Sequence, residues 1–83
     1  MTTEIEEVWS KNGKEYKIVI NNNTVTIQGA IKYDIRHGIP MPVDFIPNSF
    51  VKYEVRDEVV VPVEKLLHFE IFLEMLGYKK IEE

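Results

Sequence analysis

The sequence predicts an α+β fold in which an antiparallel sheet of four or five strands packs against one C-terminal helix, in the order β-β-β-loop-β-β-α. Three observations predict it: turn signals at Asn12-Gly13 and Asn21–Thr24, strand-like alternation over residues 16–35, and one apolar segment with helical periodicity, Pro62–Gly77. A small curled barrel plugged by the helix is the alternative arrangement of the same elements.

Length and composition indicate one domain with a small hydrophobic core. At 83 residues it has room for a single domain, residues 1–83. Such a domain buries only about 60% of its unfolded surface and needs disulfides, a metal or oligomerisation to supplement its core. Because the chain has no cysteine, disulfides and thiolate metal sites are excluded. Oligomerisation is therefore the expected supplement.

The charge distribution argues against nucleic acid and membranes as partners. The formal net charge is −4, and both partners favour positive charge. Glu4, Glu6 and Glu7 interrupt any apolar run near the N-terminus, so no signal peptide is predicted. The longest apolar stretch is too short to span a bilayer. We expect a cytoplasmic protein.

The first two strands are predicted to form a hairpin. Asn12-Gly13 is the strongest short signal for a two-residue type I′ turn. Folding about it places Trp9 opposite Tyr16 and Ile5 opposite Ile20. The N-terminal segment also fits one face of a helix, but the turn signal favours the strand.

The second turn, at Asn21–Thr24, sets the register of the third strand. It pairs Ile20 with Val25 and Ile18 with Ile27.

The third strand, residues 24–35, is long enough to bend. Gly29 is the expected position of a bulge or kink, with the ring of Tyr16 covering the missing side chain.

Arg36–Ser49 is predicted to be a loop, because three prolines exclude a central strand or a long helix. A long loop of this kind can be a binding loop, but the favoured interpretation is that its apolar side chains cap an open end of the core. These side chains are Ile39, Met41, Val43, Phe45 and Ile46.

The segment after this loop predicts two further strands, at residues 51–55 and 59–61, separated by a tight turn at Asp57-Glu58. The alternative is that the two merge into one bulged strand. The predicted core combines one face of the sheet with one face of the helix: Trp9, Tyr16, Ile18, Ile20, Val25, Ile27, Ile31, Tyr33, Val51, Tyr53, Val55, Leu66, Phe69, Phe72, Leu73 and Leu76.

The predicted helix has two apolar arcs where an ordinary surface helix has one. The broader arc contains Leu66, Phe69, Phe72, Leu73 and Leu76, and the second contains Leu67, Ile71, Met75 and Tyr78. A single sheet can cover only one of them. The other must face the proline-rich loop, a second copy of the chain, or another protein.

We predict a homodimer with Leu67, Ile71, Met75 and Tyr78 in its interface. Leaving such side chains in water forgoes roughly 1.5–3 kcal/mol for each large aliphatic one. That loss is large beside a net stability of about 5–15 kcal/mol.

The residues do not predict a catalytic, cofactor or metal site. His37 follows Asp34, and His68 lies one helical turn after Glu64, but a zinc site usually needs three or four ligands. Asp44 could join such a set only if the loop packs beside the helix. No nucleophile motif or glycine-rich phosphate loop is present. We expect a protein that is not an enzyme and needs no cofactor.

Four basic residues form the alternative hypothesis, a nucleic-acid-binding face. In the predicted register, the solvent side of the sheet carries Lys17, Lys32, Lys52 and Arg56. Acidic residues lie among them, which favours a salt-bridged solvent face. The leading prediction is therefore a small regulator or inhibitor that binds another protein, of a kind expected from a virus or mobile element.

Overall fold

The computed structural model describes residues 4–47 and 51–81. It has an antiparallel sheet and one C-terminal helix, as the α+β prediction requires. In chain order the elements are β1 (Ile5–Lys11), β2 (Lys14–Asn21), β3 (Thr24–Asp34), β4 (Ile39–Pro42), β5 (Tyr53–Pro62), a 3₁₀ turn (Val63–Lys65), α1 (Leu66–Leu76) and β6 (Lys79–Ile81). The strand order is β4-β3-β2-β1-β6, and β5 pairs with β3.

The first hairpin confirms its predicted turn and register. Asn12 and Gly13 have φ angles of 50° and 84°, the two positive values that a type I′ turn requires. Trp9 lies opposite Tyr16, and β1 pairs with β2 in the predicted register throughout.

The β2–β3 register is also confirmed, since Ile20 pairs with Val25 and Ile18 with Ile27. The predicted irregularity lies where it was expected. Gly29 has a φ of 143°, and the register between β3 and β5 shifts beside it. A Cβ at Gly29 would lie 2.6 Å from Cδ1 of Tyr16, so the Tyr16 ring occupies the space that a side chain would need.

Beyond Gly29, β3 exchanges one neighbour for another. Its first half pairs with β2 and its second half with β4, while β5 pairs with both halves. The hydroxyl of Tyr16 stabilises the point where β3 changes neighbours. It donates to the carbonyl of Ala30 at 2.6 Å and accepts from the N–H of Val43 at 3.0 Å. The single strand therefore serves two parts of a bent sheet.

The predicted loop Arg36–Ser49 contains a strand, β4, which the sequence reasoning missed. The N–H of Val43 donates to the carbonyl of Ala30 at 3.1 Å, so the backbone groups of Val43 face β3. Backbone groups alternate along a strand, so the nitrogens of Pro40 and Pro42 face away from β3, where no N–H is needed. An edge strand tolerates proline on that side. Asn48 and Ser49 lie outside the described residues.

The fourth and fifth predicted strands form one continuous strand, β5, as the alternative proposed. Two members of the predicted core are wrong: Tyr53 and Val55 are 44% and 65% exposed. Val59 and Val61 are buried instead, in the same cluster as the helix. The difference follows from the register shift. Val59 lies opposite Ile27, on the face that carries the buried cluster, whereas Val55 lies opposite Lys32, on the other face.

The helix is shorter than predicted and ends in a defined cap. Pro62 lies just before the 3₁₀ turn, and Gly77 is left-handed with φ 90°. Gly77 N–H donates to Glu74 and Tyr78 N–H to Leu73, which is the Schellman pattern. This cap turns the chain back so that β6, also missed from the sequence, pairs with β1.

One hydrophobic cluster joins the sheet to the broad arc of the helix. The buried members are Trp9, Tyr16, Ile18, Val25, Ile27, Ile31, Val59, Val61, Leu66, Phe69, Leu73 and Tyr78, with Ile20, Tyr33 and Leu76 packed against them. The ring of Tyr16 meets Phe69 edge-to-face at 5.3 Å, close to the centre of the contact between the two layers.

Candidate interaction surfaces

The second arc of the helix is exposed along its length. Leu67, Ile71 and Met75 are 63%, 44% and 70% exposed, and they are spaced four residues apart, so they lie along one side of α1. We call these three residues the helix stripe. The opposite side of α1 is buried through Leu66, Phe69 and Leu73, so burial in the core does not explain the apolar character of the stripe.

The loop after β4 does not cover the helix stripe. Phe45 stacks on Phe72, with ring centroids 4.2 Å apart, and Phe72 belongs to the broad arc. Ile46 is almost fully exposed, and Met41 is buried elsewhere. Covering of the helix stripe by the proline-rich loop, one of the alternatives from the sequence, is therefore not seen among the described residues.

Tyr78 corrects the predicted interface. It is only 3% exposed and belongs to the core cluster. The prediction extended helical periodicity past Gly77, but the left-handed cap directs Tyr78 inward. Its hydroxyl donates to Asp44 Oδ2 at 2.9 Å, and burial together with that bond raises the pKa of Tyr78.

Asp44 joins the first hairpin, the loop and the end of the helix. It accepts from Lys14 Nζ at 2.6 Å and from Tyr78, and these two bonds hold the pKa of Asp44 below its usual value. Lys11 Nζ donates to the carbonyl of Leu76 at 2.6 Å, at the C-terminal end of the helix. Both carboxylate oxygens of Asp44 have partners within the protein, so the cluster has a structural role. No local sequence signal connects residues so far apart in the chain.

A pair of carboxyl groups borders the helix stripe. Burial and a hydrogen bond with Glu7 raise the pKa of Glu70 to about 7. Burial opposes ionisation of Glu7 as well, but hydrogen bonds from Glu70 and Trp9 and the charge of Lys80 hold its pKa below the usual value. The two residues thus share a proton near neutral pH, with Glu7 as the ionised member.

His37 lies beside a carboxylate, as its sequence position suggested. Its Nδ1 is 3.0 Å from Oδ2 of Asp34, which is buried at the end of β3. Oδ1 of Asp34 accepts from the backbone N–H groups of Arg36 and His37. Burial opposes ionisation of Asp34, but these bonds hold its pKa below the usual value. The carboxylate therefore shapes the turn between β3 and β4, and His37 itself is exposed.

The other predicted ligands do not come together. His68 is exposed on α1, and Asp44 is engaged with Lys14 and Tyr78. Among residues 4–47 and 51–81, no three His, Asp or Glu side chains lie close enough to hold a metal ion.

A small apolar pocket lies between the loop and the helix. It has a volume of about 240 Å³ and opens to solvent. Its lining includes Asp34, Met41, Phe45 and Phe72. The carboxylate of Asp34 is occupied by the turn, so the pocket offers an apolar surface without a free polar group that would orient a ligand.

The predicted basic face is divided. Lys32 lies opposite Val55 and Arg56 opposite Ile31, so these two cations project to opposite sides of the sheet. The register shift at Gly29, which the prediction did not carry across to β5, explains the difference. Lys17 is 3.2 Å from Glu6, and Lys52 is exposed before β5. A continuous basic track for nucleic acid does not form from these four residues.

Comparison of the chain with protein-family models, curated proteins and solved structures finds no match. In the part of the chain that the structure describes, no helix is long and apolar enough to cross a membrane.

Proposed function

We propose that this protein is a small, non-enzymatic protein–protein interaction module that acts in the cytoplasm as a regulator or inhibitor, with the helix stripe as its contact with another protein. The observation that carries the proposal is the exposure of Leu67, Ile71 and Met75 on a helix whose other side is already buried. Contiguous exposed apolar surface on a small domain usually marks a binding site.

The surroundings of the stripe define the chemistry of the partner. Glu64 and Glu74 are exposed beside it, and Glu70 lies at its border. An amphipathic helix with this pattern fits an apolar groove on another protein, with anchors spaced by about one helical turn. The acidic flanks favour a groove with a basic rim.

The size of the stripe sets the expected affinity. A standard stable interface buries about 800 Å² on each partner, far more than three side chains of one helix provide. We therefore expect a reversible complex with a regulated partner, in which the acidic flanks raise the association rate.

The test compares tagged wild-type protein with Ile71→Glu in extracts of the source cells, with recovered proteins quantified by mass spectrometry. Ile46→Glu is the matched control, because it introduces the same charge at an exposed apolar residue away from the stripe. We expect one protein to be recovered by wild type and Ile46→Glu and to be depleted at least about tenfold with Ile71→Glu, a change equivalent to roughly 1.4 kcal/mol. Equal recovery by all three folded baits would contradict the proposal, as would turnover of a small molecule in a metabolite screen.

A further inference from the structure

Strand β5 has a long edge without a partner in the described structure. Within residues 4–47 and 51–81 it pairs only with β3, and its residues 53–58 are all exposed. In the described part of the chain, the strands at the other two ends of the sheet are short: β4 has four residues, two of them proline, and β6 has three. Unpaired N–H and C=O groups along a strand of this length are a template for another strand.

The backbone groups on this edge can be assigned from one hydrogen bond. The N–H of Ile35 donates to the carbonyl of Lys52 at 3.2 Å, so Lys52 faces β3. Because successive residues of a strand direct their backbone groups to alternate sides, Tyr53 and Val55 direct theirs to the free edge. A strand laid antiparallel here would bond to these residues.

The charged side chains around Val55 would complement those of a second copy of β5. If two copies of β5 run antiparallel with Val55 facing Val55, then Glu54 faces Arg56 of the other copy. This pair occurs twice, so two-fold symmetry gives two pairs of opposite charge. The exposed Val55 side chains meet at the axis.

Neighbouring registers lose this complementarity. Centring the axis on Glu54 places Glu54 against itself and Lys52 against Arg56, and centring it on Arg56 places Arg56 against itself. Like charges directly opposite are destabilising in an antiparallel pair. The charges thus favour the register at Val55 over either neighbour.

The contact already present within one chain agrees with this register. Arg56 binds Glu54 of its own strand at 2.7 and 3.1 Å. In the paired arrangement each of these carboxylates would lie between two guanidinium groups, one from each copy, and a network of this kind is more effective than an isolated exposed pair.

We propose that two copies of this chain associate through β5, antiparallel about a two-fold axis at Val55, and form one sheet continuous across the dimer. The occupant of the edge is a second copy, as the self-complementary charges require. This surface is separate from the helix stripe, so the dimer leaves the stripe free for the partner proposed above.

The test uses the full chain in sedimentation equilibrium, with charge reversals at the two central positions. Glu54→Arg alone and Arg56→Glu alone each place like charges across the axis, so each variant should weaken dimerisation at least about tenfold. An equimolar mixture of the two variants restores opposite charges and should form a heterodimer. The double variant Glu54→Arg/Arg56→Glu exchanges the charges and should dimerise like wild type, which controls for loss of folding.

Ile71→Glu separates this proposal from the proposed function, because it should abolish partner binding while leaving the dimer intact. A wild type that is monomeric up to about 1 mM, the weakest affinity worth considering, would overturn the β5 dimer. Single charge variants that dimerise as well as wild type would also overturn it. A dimer lost only in Ile71→Glu would instead assign self-association to the helix stripe, as the sequence predicted.

Discussion

The two halves of β3 have different neighbouring strands. Before Gly29 the strand lies between β2 and β5, and its inward side chains Val25 and Ile27 are fully buried in the cluster that includes α1. After Gly29 it lies between β4 and β5, and the adjoining residues of β5, Tyr53 and Val55, are exposed. Ile31 of β3 is still fully buried there, so the exposed part is residues 53–58 of β5. We call the sheet before Gly29 the covered half and this exposed segment of β5 the open half.

The comparison distinguishes strand formation from burial, which the same sequence pattern predicts together. Alternation of apolar and polar residues specifies a strand, and both halves have it. Burial also depends on which face of the sheet carries the apolar side chains. Before the register shift Val59 lies opposite Ile27, on the face of the buried cluster, whereas after it Val55 lies opposite Lys32, on the other face. The covered half therefore provides the stability of the domain, while the open half is available for pairing with another strand.

The largest expected effect tests where the stability lies. Phe69→Ala removes a fully buried ring that packs on Tyr16, and should lower the free energy of unfolding by about 3–5 kcal/mol. Val55→Ala, on the open half, should change it by less than about 0.5 kcal/mol. Denaturant unfolding at low protein concentration, where the monomer dominates, measures both. Similar losses for the two variants would contradict the division of the sheet.

A smaller effect tests the junction between the halves. Gly29→Ala places a Cβ 2.6 Å from the Tyr16 ring at a φ of 143°, and the two hydrogen bonds of the Tyr16 hydroxyl keep the ring from moving away. We expect a loss of about 2–3 kcal/mol in the free energy of unfolding. Gly13→Ala is the control, because it has a positive φ but nothing within 4 Å of the new Cβ, and should cost only about 1 kcal/mol. Equal losses would show that backbone strain alone matters at Gly29.

The smallest effect concerns the carboxyl pair at the helix border. Because the pKa of Glu70 is raised to about 7 in the folded state, folding takes up a proton as the pH falls from neutral towards the unfolded pKa. The free energy of unfolding should therefore rise as the pH falls through this window and decrease as the pH rises through about 7. Since Glu70 is partly exposed, we expect a change of only about 1 kcal/mol.

Glu70→Gln should remove that dependence, because glutamine donates a hydrogen bond to Glu7 without ionising. The variant should match wild type near pH 5 and exceed it near pH 8 in thermal unfolding. Parallel profiles for the two proteins across this range would show that Glu70 ionises normally.

The features that were predictable from the sequence are those set by neighbouring residues. The Asn12-Gly13 turn fixes the register of the first hairpin, and Gly29 marks the bulge, because each needs a backbone conformation that few residues adopt. The helix was located by its periodicity and by Gly77. Both apolar arcs of the helix were recognised, and the stripe that remains exposed is one of them.

The features that were missed depend on contacts between distant segments. β4 was missed because proline argues against a strand, and the prolines of β4 are tolerated only because they lie on the edge that faces away from β3. Tyr78 was assigned to the second apolar arc of the helix because the cap that turns it inward depends on the bonds to Glu74 and Leu73. The basic face failed because a shift at Gly29 changes which residues of β5 lie opposite the end of β3.

The most direct test of the division into a covered half that folds the domain and an open half that pairs is residue-resolved amide hydrogen exchange at two protein concentrations. Ile18 and Ile27, in the covered half, should be protected at both concentrations. Tyr53 and Val55 should exchange rapidly in dilute solution and at least about tenfold more slowly in concentrated solution, because their N–H groups then bond to a second copy of β5. If these two amides exchange at the same rate at both concentrations, the open half does not pair and the account is wrong.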